Sequence, residues 1–479
     1  MAGRRRTRAG GRNAGRSAGQ VSEPLHVTEA TTPLEPTFGL KAYQSISKIS
    51  GPIARLALAR RLAAGKEDPD RIAERHGECA TPRPAGALIW IHGASVGESL
   101  SVLPLVERFR RERPGASFLV TTGTITSARL MAERLPAGAI HQFAPLDHPV
   151  FVRRFLDHWR PDAAIFVESE FWPNLLTMAR ERAPLLALVN GRVSPRSFES
   201  WTRRLRTIKY LLSVFDVMIA QDKKNAERLA RLSGRQVESF GNLKNAAPPL
   251  PCDDNEIRDL KRQVGARPIW LAASTHPSEE EIVFDAHKLL LREFPDLLTV
   301  IAPRHPERGA EVADLVRAVD LTPQRRSREP RIAADCQVYV ADTLGELGLF
   351  YRLSSVAFVG GSLLEKGGHN PLEPARLGCA ILHGPHTFNF DETYAEMRGG
   401  GGAALVRNER DLATAVRRLL ADEKTRLAMA GAARVSAESS AERVLTSVAA
   451  EILARLPDAD APSGDAPSGD AQDQVEQAR

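Results

Sequence analysis

Nowhere in the 479-residue chain do eighteen apolar residues follow one another, so no helix that spans a bilayer is expected. The best candidate, Leu347 to Leu364, is interrupted by Arg352 and reads as a buried helix followed by a strand. Cysteine is scarce: Cys79, Cys252, Cys336 and Cys379 stand far apart, with no C-x-x-C pair and no histidine cluster at metal spacing. A disulfide framework and a metal site are therefore not expected, and a reducing, cytoplasmic setting is. An excess of one charge is missing too. Against 65 Lys and Arg stand 59 Asp and Glu, and much of the remaining +6 lies in Arg4, Arg5, Arg6, Arg8, Arg12 and Arg16. Such a tail reads as a solvated, disordered arm rather than a nucleic-acid surface, and no nucleic-acid partner is expected.

What is present is the material for two or three ordinary domains, with 43% hydrophobic and 26% charged residues. After the tail (1–39), Tyr43, Ile46, Ile49, Ile53 and Leu56 recur every three or four residues among Lys41, Lys48, Arg55, Arg60 and Arg61, with a break at Gly51-Pro52. This basic amphipathic segment fits either a helical hairpin covering the first domain or a surface lying on an anionic membrane. Apolar runs then alternate with amphipathic stretches. The strand candidates are Ala87–His92, Ser117–Thr122, Ala163–Glu168, Leu185–Asn190 and Asp216–Gln221, and after a Pro- and Asn-rich stretch, Ile269–Ala273, Leu298–Ala302, Gln337–Ala341, Val356–Gly360 and Ala380–His383. The alternation predicts an α/β protein with two doubly wound, mostly parallel sheets: a first domain over 40–241, a linker over 242–265 and a second domain over 266–456. Residues 457–479, in which APSGD occurs twice, are expected to be disordered.

Open parallel sheets bind ligands beyond the carboxyl ends of their strands, and there the reactive residues gather. The first strand leads into Gly93-Ala94-Ser95-Val96-Gly97-Glu98, where glycines admit close backbone approach and Glu98 falls in the first turn of a helix. The same stretch spells G-x-S-x-G, the turn of a serine hydrolase with Ser95 at its centre. That reading fits poorly because the motif follows the first strand of its domain. Glu168 and Glu170 end another strand; in extended chain they face opposite ways, one to the cleft and one to an internal partner. Arg192 and Lys244 end two further segments. In the second domain Ser274-Thr275 and Pro303-Arg304 offer hydroxyls and a cation suited to phosphate. Gly360-Gly361 and Gly367-Gly368-His369-Asn370-Pro371-Leu372-Glu373 form a nucleotide cradle without a P-loop lysine, with Glu373 set to accept from ribose hydroxyls. A catalytically silent scaffold that holds a nucleotide is the bland alternative.

Together, GASVGESLSVLPL, ESEFWPN, NGRVSPRS, STHPSEEE, PRHPER and GGSLLEKGGHNPLEPA closely resemble, in this order, the 3-deoxy-D-manno-octulosonic acid (Kdo) transferases, over about residues 40 to 450. The resemblance implies a GT-B fold, two Rossmann-like domains facing across a cleft. It also implies inverting transfer of Kdo from CMP-Kdo to the lipid A precursor lipid IVA, at the cytoplasmic face of the inner membrane. Position by position, Glu98 matches the family's general base, and Glu168 and Lys244 match residues thought to stabilise the transition state. Pro303 and Arg304, Leu344, Gly345 and Glu346, and Asn370, Pro371, Leu372 and Glu373 match the CMP-binding segments. Ser95, Gly97, Arg192, Ser274, Thr275, Gly360, Gly361, Gly368 and His369 are further candidates for donor or acceptor contact. No metal or other cofactor is implied, since CMP-Kdo is a substrate. The family usually begins with a hydrophobic anchor; here Leu40 to Lys66 is the broken basic segment, so peripheral attachment is expected.

Overall fold

The computed structural model describes residues Leu34–Leu456, and the sequence readings on 1–33 and 457–479 lie outside them. Its framework is two sheets of seven strands. The first holds β1 (Leu88–His92), β2 (Ser117–Thr122), β3 (Ile140–Phe143), β4 (Ala163–Val167), β5 (Leu185–Gly191), β6 (Val217–Ala220) and β7 (Glu238–Ser239), in the order β3-β2-β1-β4-β5-β6-β7. The second holds β8 (Ile269–Thr275), β9 (Leu298–Pro303), β10 (Pro323–Arg325), β11 (Val338–Val340), β12 (Val356–Val359), β13 (Ala380–His383) and β14 (Ala403–Leu405), in the order β10-β11-β9-β8-β12-β13-β14. Every strand pairing is parallel. Helices on both faces explain why the inner strands are continuous apolar runs: all residues of β1, β4 and β5 are buried.

The ten strands expected from sequence are the ten inner ones, five in each sheet. The four edge strands, β3, β7, β10 and β14, escape that reading. They are two to four residues long and mostly half-exposed, which leaves no apolar run to detect.

In each sheet the strand order reverses beside the first strand, at β1/β4 and at β8/β12. Residues at and beyond the carboxyl ends of β6 and β7 (Gln221 to Lys224, Ser239 to Asn242) share a cavity of about 670 Å³ with Phe388 to Glu392, on the loop after β13 and the first turn of the helix that follows it. The two sheets therefore open toward a common cleft. The chain crosses this cleft twice. Leu243–Ala246 forms a short 3-10 turn after β7, and the last helix, Glu423–Leu453, returns from the second sheet to the first. Its Val444, Val448, Ala449 and Ile452 complete an apolar cluster with Ile89, Val120, Ile165 and Val189 of the first sheet. Hence part of the span assigned by sequence to the second domain builds the core of the first.

Two other spans differ from expectation. Within the expected linker, Asp254–Val264 is a helix that buries Ile257, Leu260 and Val264 against the second sheet; its N-cap Asp253 bonds the amides of Asn255 and Glu256. The leading segment is a pair of helices, Phe38–Ile49 and Gly51–Ala63, the first starting within the stretch assigned to the tail and the break falling at Ser50. The first helix is fastened by Tyr43 to Asp147 (2.8 Å), by Asn174 to Ser47 (3.1 Å) and by burial of Leu40. Yet Phe38, Ile46, Ile49, Ile53 and Leu56 remain 55 to 88% exposed. The pair covers the first lobe with one side and presents an apolar row on the other. Among the described residues no helix is long and apolar enough to cross a membrane.

Candidate active site

The turn after β1 is shaped by Ser95 and Glu98. Ser95 caps the Val96–Glu112 helix by accepting from the Glu98 amide (3.3 Å), and the Glu98 carboxylate reaches back to accept from the Ala94 amide (2.8 Å) and the Ser95 hydroxyl (2.7 Å). This reciprocal capping fixes the carboxylate beneath the helix start. Glu98 is only 8% exposed. Burial pushes its pKa up, the Ser95 bond pulls it down, Glu168 pushes it up, the Ala94 amide pulls it down and Glu170 pushes it up, with a net rise. The Ser95 hydroxyl bonds a carboxylate, not an imidazole, so the serine hydrolase arrangement is not formed.

Glu168 follows β4 in the left-handed region (φ 60°). That turn breaks the extended chain on which the expected alternation of Glu168 and Glu170 rests. Both carboxylates consequently find partners at the site. Glu168 meets Lys244 Nζ at 2.6 Å, a close ion contact not aligned as a hydrogen bond, and Arg192 at 4.0 Å. Glu170 accepts from the Trp172 indole (2.6 Å) and lies 3.8 Å from buried His92. Burial raises its pKa, but His92 and Trp172 outweigh that and hold it low. Lys244 sits in the 3-10 turn, whose Leu243 amide is held by Asn190 (3.0 Å) and whose Asn245 bonds Ser440 of the crossing helix (3.3 Å). A side chain on Gly97 would stand 3.7 Å from Lys244 Cε and 3.8 Å from Nζ. Glu98, Glu168 and Lys244 thus come together from three separate segments, with Gly97 beside them.

In the second lobe, Ser274, Pro303, Arg304, Leu344 and Gly345 line one cavity of about 200 Å³. Arg304 and Leu344 are exposed, and Gly345 (φ 84°) and Ser274 (φ 57°) make left-handed turns at its rim. Arg304 also acts electrostatically on His369 and Glu373, which places the Asn370–Glu373 segment beside it. There Asn370 bonds the Leu372 amide (3.0 Å) and the Glu373 carboxylate (3.3 Å). Pro371 stands just outside the short Leu372–Arg376 helix and is buried with Leu372. Burial raises the pKa of Glu373, against Asn370, Arg304 and Arg376. Glu346 turns away to the buried Arg326 (2.7 Å), whose bond holds its pKa low.

The glycine cradle differs from expectation. Glu279, fully buried, accepts from the amides of Gly361 (2.6 Å), Ser362 (3.0 Å), Leu363 (2.9 Å) and His276 (3.1 Å). Gly360 donates to Ala273 and Gly368 to Gly361. These amides are engaged by the protein itself, so they form no open phosphate nest. Gly360 is required for another reason: a Cβ there would lie 2.6 Å from the Ser274 carbonyl oxygen. Thr275 is likewise buried, donating to Glu280 (3.2 Å). His369 faces His276, Nε2 to Nε2 at 2.9 Å with rings stacked. Sequence reasoning missed Glu279; three successive glutamates at a helix start were its only signal. Among the described residues no group of three or more His, Cys, Asp or Glu is placed to hold a metal.

Residues 70–247 match the family model for 3-deoxy-D-manno-octulosonic-acid transferase (kdotransferase). The 3-deoxy-D-manno-octulosonic acid transferase of Rickettsia bellii is 36% identical over 346 residues, covering 72% of this chain and 82% of the relative. That of Haemophilus influenzae is 36% identical over 365 residues, covering 74% and 84%. A solved glycosyltransferase from Rickettsia africae shares the fold at 13% identity, with a TM-score of 0.53 over 77% of this chain and 99% of that one. With this identity spread over most of both sequences, the chain belongs to the 3-deoxy-D-manno-octulosonic acid transferases and is a glycosyltransferase.

Proposed function

We propose that the chain moves Kdo from CMP-Kdo to the lipid A precursor lipid IVA, with inversion at the anomeric carbon. The observation that carries this reading is the convergence of Glu98, Glu168 and Lys244 beyond the carboxyl ends of β1 and β4. Glu98 takes the proton of the acceptor hydroxyl as its oxygen bonds the anomeric carbon, and the bond from that carbon to the phosphate oxygen breaks to release CMP. Burial makes Glu98 a stronger base than a solvated carboxylate. Positive charge develops on the sugar as CMP departs, and the Glu168 carboxylate offsets it. Lys244 and Arg304 offset the negative charge on the leaving phosphate.

The nucleotide occupies the cavity of Ser274, Pro303, Arg304, Leu344 and Gly345, with Asn370 and Glu373 for the ribose. Transfer in this reading draws on no metal or other cofactor. The enzyme attaches peripherally to the cytoplasmic side of the inner membrane through the apolar row Phe38, Ile46, Ile49, Ile53 and Leu56, with Lys48, Arg55, Arg60 and Arg61 supplying positive charge. Mass spectrometry of the lipid formed from CMP-Kdo and a tetraacyl disaccharide bisphosphate tests the whole reading. The expected product is heavier by one or more Kdo residues; an unmodified lipid overturns it.

A further inference from the structure

Beside the carboxylates lies a third cavity, of about 260 Å³, whose walls include Glu170, Trp172, Arg192, Ser197 and Trp201. Two indoles at its edge stand out. Trp172, 49% exposed, precedes the Pro173–Arg182 helix and is pinned by its N–H bond to Glu170. Trp201 belongs to Pro195–Thr202, a helix with no buried residue. Trp172 packs on no core cluster, and Trp201, half-buried, lies with one side on the core of the first lobe and lines the cavity with the other. Flat aromatic faces beside carboxylate acceptors suit a pyranose, whose C–H face stacks on a ring while its hydroxyls donate.

Arg192 adds a cation. Its side chain is 55% exposed, and its contact with Glu168 is a long 4.0 Å. A planar guanidinium so weakly engaged is available to a phosphate, which it can grip with two parallel bonds.

The helix that follows Trp172 is tied to the leading helix pair. Asp147 accepts from the amides of Asn174 (3.2 Å) and Leu175 (2.7 Å), two and three residues past Trp172, and from the Tyr43 hydroxyl (2.8 Å) on the first helix of that pair. One carboxylate therefore ties the indole's helix to the element that bears the exposed apolar row.

We propose that this cavity is the acceptor subsite, in which the phosphorylated hexosamine ring bearing the attacking hydroxyl stacks on Trp172 and Trp201 with its phosphate on Arg192. The acyl chains then leave toward the apolar row. The assignment rests on the acceptor named above as a phosphorylated, acylated disaccharide.

Initial rates of the full-length enzyme, with CMP-Kdo and acceptor varied in turn, test it. Trp172→Ala and Trp201→Ala should each raise the acceptor KM about tenfold, leaving the donor KM and the slow hydrolysis of CMP-Kdo by water unchanged. Trp172→Phe, which keeps a stacking face, should recover most of the loss. Arg192→Gln should raise the KM of the bisphosphate acceptor about tenfold, but not that of an acceptor lacking the phosphate nearest the accepting hydroxyl. Acceptor KM values unmoved in both tryptophan variants overturn the subsite, as does an Arg192→Gln defect equal on both acceptors. Should Trp172→Ala fail to fold, the Trp201 and Arg192 arms decide. A wild-type enzyme that forms no product sinks the acceptor reading itself; a product formed with indifferent variants sinks only the subsite.

Discussion

Lys244 meets Glu168 at 2.6 Å across two chain segments, one leaving β4 through a left-handed residue and one entering the 3-10 turn after β7. Because each charge holds the other in place, removing either disturbs both. Glu168→Gln and Lys244→Met are each expected to lower kcat by about 10² to 10³, with little change in donor KM. The double variant should be scarcely worse than either single one, since the pair acts as a unit. A double-mutant cycle on kcat decides this, and full additivity counts against a shared role.

The pH profile reports on Glu98. Its pKa is raised chiefly by burial, and a base must be ionised to act, so log kcat/KM should climb with pH through a limb above the usual carboxylate range. The Ser95 hydroxyl bond opposes the rise, so Ser95→Ala should shift that limb to higher pH and keep substantial turnover. Total loss of activity in Ser95→Ala would instead favour a serine nucleophile.

Glu98→Gln should abolish the limb and lower the rate about 10² to 10⁴. The amide can still accept from Ala94 and can donate to Ser95, so the cap survives. A carboxylate whose folded pKa is raised gives stability below its unfolded pKa, and that contribution is lost as pH rises. At neutral pH the Gln variant should therefore melt no lower than wild type. A lower Tm would mean that the carboxylate chiefly holds the helix start.

Stability of the second lobe should hinge on Glu279. Glu279→Ala strips an acceptor from four amides, two of them fully buried, and is expected to cost about 3 kcal/mol or more. Gly360→Ala, pressed against the Ser274 carbonyl, should cost about 1 to 3 kcal/mol. Thermal melts with and without CMP check both; wild-type Tm in the Glu279 variant would contradict the buried clasp.

Replacing Ile46, Ile49 and Ile53 together by Ser should reduce sedimentation with phosphatidylglycerol vesicles at least about tenfold. The three side chains are exposed, so Tm should hold, each change lying within about 0.5 kcal/mol. Added salt should weaken the residual binding. Vesicle binding equal to wild type would remove the proposed attachment.

The inner strands were legible in sequence because strands covered on both faces are apolar from end to end, as Leu88–His92 and Ala163–Val167 are. Edge strands such as Glu238–Ser239 carry no such pattern. Glu98 and Glu168 were legible for a related reason, each standing at or just beyond the end of an inner strand, where this topology gathers side chains, whereas Lys244 follows the unmarked edge strand and its role was reached through the family resemblance. What stayed hidden depends on contacts distant in sequence. Nothing near Gly361 announces that Glu279 fills its amide nest, and nothing in Val444 or Ile452 says which sheet they cover. The Asp254–Val264 helix was obscured by the prolines ahead of it, although its apolar spacing is regular.

The placement of Val444, Val448 and Ile452 under the first sheet has a consequence for biosynthesis. A nascent chain that has already emitted β1 to β7 still lacks the residues that close that apolar surface, because they follow the whole second sheet in sequence. The first lobe therefore cannot mature until the second has been synthesised, unlike a domain whose core is contiguous in sequence. In the interval its exposed greasy flank is a natural substrate for chaperones, and ribosomes stalled late in the message should release aggregation-prone rather than half-active fragments.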